Sequence, residues 1–85
     1  MGHHRLSDLA EGECAWVESL CISGTMRRRM QDIGLIEGTK VSCVMKSPAG
    51  DPAAYKIRGA VIALRREDAR HVMVNKVQKG EKAWG

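Results

Sequence analysis

The chain has 85 residues, with 14 Lys and Arg against 10 Asp and Glu, for a net charge of +4. A chain of that length makes one compact domain with a small core, burying about 60–65% of the surface its unfolded form exposes; this excludes a multi-domain enzyme and any active site built between domains. Apolar residues make up 44%, as in a globular domain rather than a disordered tail, and with no Phe and only Trp16, Tyr55 and Trp84 as aromatics the chain is poor in the stacking platforms of base-binding proteins.

The start, Met1-Gly2-His3-His4-Arg5, lacks the apolar stretch of a signal peptide. No run approaches the ~18 uninterrupted apolar residues of a membrane span. A cytosolic protein without direct membrane insertion is therefore expected. From Leu6-Ser7-Asp8-Leu9, a short tether, the chain reaches a turn at Glu11-Gly12. Glu13 to Glu18 reads as a strand with Ala15 and Val17 on its inner face and Cys14, Trp16 and Glu18 on the other. Ser23 or Thr25 is placed to cap a helix over Met26–Ile33, in which Met26, Met30 and Ile33 make one apolar stripe and Arg27, Arg28 and Arg29 spread over the remaining surface. Gly34 stands at the left-handed position that ends a helix, with Leu35 placed for the accompanying apolar contact.

After the turn at Glu37-Gly38, Thr39 to Lys46 alternates as a strand with Val41, Cys43 and Met45 on one face. Ser47-Pro48-Ala49-Gly50-Asp51-Pro52 is dense in turn formers and reads as a loop. Tyr55 and Ile57 alternate with Lys56 and Arg58 in a third strand, Gly59 breaks it, and Val61–Arg65 makes a fourth with Ile62 and Leu64 inward. Glu67-Asp68-Ala69-Arg70 suits one helical turn, whose acids are expected to pair locally with Arg65 and Arg66. Val72 and Val74 mark a last strand. Short strands separated by turns, with two small helices, predict a mostly β, partly open antiparallel barrel. Its expected core is Ala15, Val17, Val41, Cys43, Tyr55, Ile57, Ile62, Leu64, Val72 and Val74, with no room for a substrate cavity. The expected divisions are a flexible start at 1–5, the barrel at 6–76 and a polar tail at 77–85.

Read in order, several blocks resemble the ferrous iron transport protein A (FeoA) family. They are Leu6-Ser7-Asp8-Leu9 with Gly12-Glu13, the run Arg27-Arg28-Arg29-Met30-Gln31-Asp32-Ile33-Gly34-Leu35, Glu37-Gly38-Thr39-Lys40-Val41, the Ser47–Pro52 loop, Ile57-Arg58-Gly59, and Ala63-Leu64-Arg65-Arg66-Glu67-Asp68-Ala69. The resemblance covers roughly residues 6 to 75 and departs from the family's pattern at Trp16, Tyr55 and Ala60. It implies an SH3-like barrel, a cytosolic bacterial protein, and a part in ferrous iron uptake exerted on the membrane transporter FeoB, which carries a cytosolic GTPase domain.

The residues that stand out for function are Trp16 and the three arginines. An exposed Trp is a typical anchor of protein interfaces; the alternative is packing under the tail beside Trp84. Arg27, Arg28 and Arg29 read either as a solvated helix face or as a surface for carboxylate or phosphate groups, which guanidinium forks hold bidentately. Toward a GTPase, such an arginine would act by stabilising transition-state charge. The cysteines, Cys14, Cys21 and Cys43, include no Cys-x-x-Cys pair and read as reduced thiols, and with His71 they lack the tight ligand pairs of structural zinc sites. No nucleophile–base pair or glycine-rich phosphate loop is visible. The expectation is a non-enzymatic accessory protein without cofactor or catalytic residues, docking through Trp16, Arg27, Arg28 and Arg29 on a FeoB-type transporter, with iron as cargo of the pathway. The competing reading from the net charge is a small nucleic-acid-binding barrel of the same SH3-like type.

Overall fold

The computed structural model describes residues 4–79. Its elements in chain order are β1 (His4–Arg5), a 3-10 turn (Leu6–Asp8), β2 (Glu13–Leu20), α1 (Gly24–Asp32), β3 (Lys40–Lys46), β4 (Ala53–Ile57), β5 (Ala60–Leu64), α2 (Arg66–Ala69) and β6 (Val72–Lys79). The six strands form one antiparallel sheet in the order β1-β6-β2-β3-β4-β5. Its two edge strands, β1 and β5, lead directly into the 3-10 turn and α2, which meet each other and close one end of the curled sheet.

The core is built as the alternation predicts. Ala15, Val17, Val41, Cys43, Tyr55, Ile57, Val72 and Val74 are buried, and Ile62 and Leu64 pack against them partly covered. Ala53 at the start of β4 adds to this set, and the other core residues come from outside the sheet, where strand alternation does not reveal them: Leu6 and Leu9 beside the 3-10 turn, Met30 of α1, Leu35 after it, and Ala69 of α2. A barrel this small needs these side chains to seal its open ends.

One expected orientation is corrected by a bulge, which re-aims side chains by inserting one residue into a strand. Between Cys43 and Met45 the pairing of β3 with β4 shifts register, so Met45 turns outward and is 59% exposed. Between Cys14 and Trp16 the pairing of β2 with β6 shifts as well, with Lys76 at a φ of +57° taking up the extra residue of β6. Cys14 keeps its regular pairing with Ser42 of β3, and so its place on the face opposite Ala15, yet it is buried there. The last strand also runs further than Val74, since Glu13 still pairs with Lys79, so residues 77–79 are strand rather than tail.

Helix α1 begins after Ser23, which occupies the capping position without a side-chain capping bond. Its end is as expected. Gly34 sits at φ +106°, the amide of Leu35 donates to the Met30 carbonyl at 3.0 Å, and the amide of Gly34 donates to that of Gln31 at 3.0 Å. Those two bonds are the paired closure that a left-handed glycine permits, and fully buried Leu35 supplies the apolar contact.

Candidate functional site

Trp16 lies in the middle of β2, opposite Lys40 of β3 and Asn75 of β6. Its ring is half-buried on the outer side of the sheet, and the Lys40 ammonium stands 5.6 Å from the ring centroid. A cation over a partly exposed indole contributes about 0.5–1 kcal/mol. One face of the indole is thus dressed by a lysine. The other reading of Trp16, packing beside Trp84, lies outside the described residues.

The arginines of α1 divide into two kinds. Arg27 turns back over the chain, and its Nη1 donates to the carbonyls of Leu20 at 3.1 Å and Ile22 at 3.4 Å. It ties the helix to the end of β2 by giving partners to the carbonyls of the last strand residue and of Ile22 beyond it. Arg28 and Arg29 are exposed on the helix. Trp16 and the end of β2 that Arg27 grips are separated by about 13 Å of strand, at ~3.3 Å per residue. The tryptophan and the arginine face are therefore two neighbouring features of the outer surface rather than one cluster.

Several acids hold the backbone. Asp8 Oδ2 accepts from the Arg5 amide at 3.1 Å, Glu13 Oε1 from Ala10 at 2.7 Å, and Glu11 Oε2 from Lys46 at 2.6 Å. Asp51 Oδ1 accepts from the Arg66 amide at 2.8 Å, at the start of α2. These carboxylates pin loops to strands. Beside Asp51 lies a shallow polar cleft of about 190 Å³, open solvent included, lined among others by Ser7, Lys46, Asp51, Tyr55 and Arg66. Burial pushes the Tyr55 phenol up to about 12, with the charge of Asp51 adding to the effect and Arg66 opposing it. Burial likewise raises Cys43, against the opposing charge of Lys46. A thiol held protonated in this way is a poor nucleophile and a poor soft-metal ligand. Among the described residues no three His, Cys, Asp or Glu side chains converge on a point where a metal ion would sit.

What sequence reading missed is on the outside of β3, β4 and β5. Met45 of β3 and Val61 of β5, 59% and 61% exposed, stand there on either side of β4. Met45 could not be placed without the bulge, while Val61 carried a usable signal as the outward member of an alternating strand.

The molecule is a small six-stranded antiparallel barrel whose interior is filled by its own side chains and whose distinctive groups lie on the outer face. The chain belongs to the FeoA domain family, whose sequence profile matches residues 4–76. A fusion of Fe(2+) transport protein A with the Fe(2+) transporter FeoB from Porphyromonas gingivalis is 34% identical over 70 residues; they make up 82% of this chain, which spans only 8% of that protein's length. The FeoA protein of Chlorobium tepidum, at 31% identity, superposes with a TM-score of 0.81, covering 94% of this chain and 76% of that one. The FeoA of Stenotrophomonas maltophilia, 27% identical, superposes with a TM-score of 0.82 over 92% of this chain and 99% of that one. It was solved with zinc and is described as an SH3 domain protein suggested to activate bacterial ferrous iron transport. The family is thus one of ferrous iron transport, joined to FeoB in a single chain in one homologue, and its members share the SH3-like barrel. No helix among the described residues is long and apolar enough to cross a membrane.

Proposed function

We propose that this protein is a cytosolic, non-enzymatic accessory of ferrous iron uptake that docks on a FeoB-type transporter and regulates or assembles it. The observation that carries the reading is the fusion: in a relative, a domain similar to this chain is covalently joined to FeoB. A covalent tether raises the effective concentration of one module at another to the millimolar range. A separate chain doing the same work must replace the tether with surface affinity, and the outer surface is where this barrel carries its free groups. Arg28 and Arg29 offer guanidinium forks to carboxylates or phosphates, and half-buried Trp16 offers an apolar anchor. Arg27, occupied with the backbone, supports the helix that presents them.

The test is binding of the full chain to the purified transporter in nanodiscs, with GTP hydrolysis measured in parallel. Trp16→Ala and the double variant Arg28→Ala/Arg29→Ala are each expected to weaken binding by about tenfold, the 1–2 kcal/mol range of a truncated interface anchor. An arginine acting on the nucleotide would show as loss of stimulated hydrolysis at saturating protein. Absence of binding by the wild-type chain overturns the docking reading, and binding that neither variant alters overturns the choice of surface.

A further inference from the structure

The sheet has one long open edge. Strand β5 pairs with β4 along Ala60–Leu64 and is last in the strand order, with no further strand beside it among the described residues. The 3-10 turn approaches it at the Leu64 end, where Ser7 and Leu64 line the same shallow cleft.

The turn between β4 and β5 determines which backbone groups this edge presents. Arg58 and Gly59 have φ of +53° and +86° and connect the facing pair Ile57 and Ala60. Positive φ at both positions marks a two-residue turn of the twisted type that suits hairpins, closed by hydrogen bonds between its flanking pair. In an antiparallel ladder bonded and non-bonded pairs alternate. Hence Ala60, Ile62 and Leu64 bond to β4, while the N–H and C=O groups of Val61 and Ala63 point away from it. Those same two residues have exposed side chains.

The face beside the edge is apolar. Met45, Ala54 and Ala63 are consecutive across β3, β4 and β5, and Val61 lies next in line, opposite Lys56. Cations rim this surface: residues 53–66 include Lys56, Arg58, Arg65 and Arg66 and no acid, while Asp51, which accepts from the Arg66 amide, and Glu67 stand just beyond the Leu64 end. Natural edge strands are commonly protected by a charge, a proline or a bulge within the strand. Ala60-Val61-Ile62-Ala63-Leu64 has none of these.

We propose that β5 is a docking edge that accepts an extended peptide segment of a partner protein, added as a further strand, with an apolar centre and acidic flanks. The centre pairs with Val61 and Ala63 and covers Val61, Ala63 and Met45, and the acidic flanks meet Arg58 at one end and Arg65 and Arg66 at the other. Strand addition of this kind takes its affinity from main-chain bonds and its selectivity from alternate side chains. A second copy of this chain is the poorer occupant: paired antiparallel about Ile62, it would set Arg58 of each chain opposite Arg66 of the other, which costs stability. The edge stands independently of whether the transporter supplies the segment.

The experiment uses the full chain labelled with 15N and the synthetic peptide Asp-Glu-Thr-Val-Thr-Val-Thr-Asp-Glu, with Lys-Lys-Thr-Val-Thr-Val-Thr-Lys-Lys as control. The acidic peptide is expected to shift amide signals along Ala60–Leu64, to slow exchange at Val61 and Ala63, and to bind about tenfold more tightly than the control. Val61→Pro removes an outward N–H without breaking the β4 ladder and is expected to abolish the binding. Val61→Asp leaves the backbone intact, sets a like charge against the acidic flanks, and is expected to abolish it as well, which covers the case of a proline variant that fails to fold. Unchanged β5 signals, equal affinity for the two peptides, or protection of β5 that grows with protein concentration in the absence of peptide would each overturn the proposal.

Discussion

Tyr55 is the sole tyrosine and is 2% exposed, so its titration can be read directly from the tyrosinate absorbance of the intact protein. Burial pushes its phenol up to about 12, against an ordinary value near 10. Because the folded value exceeds the unfolded one, the stability it confers is complete below about pH 10 and is lost as pH rises toward about 12. A loss of up to about 2 kcal/mol is expected across that window, set below the full two-unit equivalent because the ring borders the solvent-open cleft. Absorbance titration should give a midpoint well above that in denaturant, and Tyr55→Phe should flatten the alkaline decline in melting temperature; coincident midpoints would contradict the burial argument. Gly34 makes a second prediction. At φ +106° any side chain is strained, and a Cβ there would come within 2.5 Å of Arg58 Cδ and 3.1 Å of Ile57 Cγ2. Gly34→Ala is expected to cost about 1–3 kcal/mol in urea unfolding. Arg58→Ala in that background should recover only the part due to contact, because the backbone strain remains.

Among the elements, α1 shows how a run of like residues separates once folded. Arg27 donates to two carbonyls, of Leu20 at the end of β2 and of Ile22 beyond it, while Arg28 and Arg29 face solvent. Arg27→Ala is expected to lower stability by about 1 kcal/mol, and Arg28→Ala to stay within about 0.5 kcal/mol, a contrast that paired urea midpoints resolve. Sequence could not make this distinction, because the carbonyls that Arg27 holds depend on where β2 stops. The period-two pattern placed Val41, Cys43, Tyr55 and Ile57 correctly, and the glycine stop of α1 was legible because one residue type and one conformation dictate each other. It failed at Met45 because a bulge adds a residue to one strand without a sequence marker of its own, and the alternation beyond it inverts. The same limit hid the candidate site on β3, β4 and β5, whose apolar row exists only in that shifted register. Trp16 was legible as outward-facing, but the lysine that covers it comes from pairing across strands.

For the whole molecule, the net charge of +4 invites the nucleic-acid reading, and its distribution argues against it. Phosphate binding of useful strength needs many cations along one track, each adding to the salt dependence. Here the cations fall into separate groups, one on α1 and another around β5, while Asp8, Glu11 and Glu13 spend carboxylate oxygens on backbone amides elsewhere and Asp51 does so at Arg66, within the β5 group. Only a few arginines could meet one duplex together. Binding to a fluorescent DNA duplex is therefore expected to be weaker than about 10⁻⁴ M at ~150 mM salt, the weak end of non-specific binding, with a slope of log K on log salt no steeper than about −3. Anisotropy titrations at several salt concentrations measure both quantities. Submicromolar affinity with a slope near −6 would mean that the two groups act as one track, and would favour nucleic acid over protein as the partner. The expected shallow slope instead leaves an encounter in which charge orients the barrel and the apolar groups, Trp16 on one side and the β5 face on the other, supply what holds it.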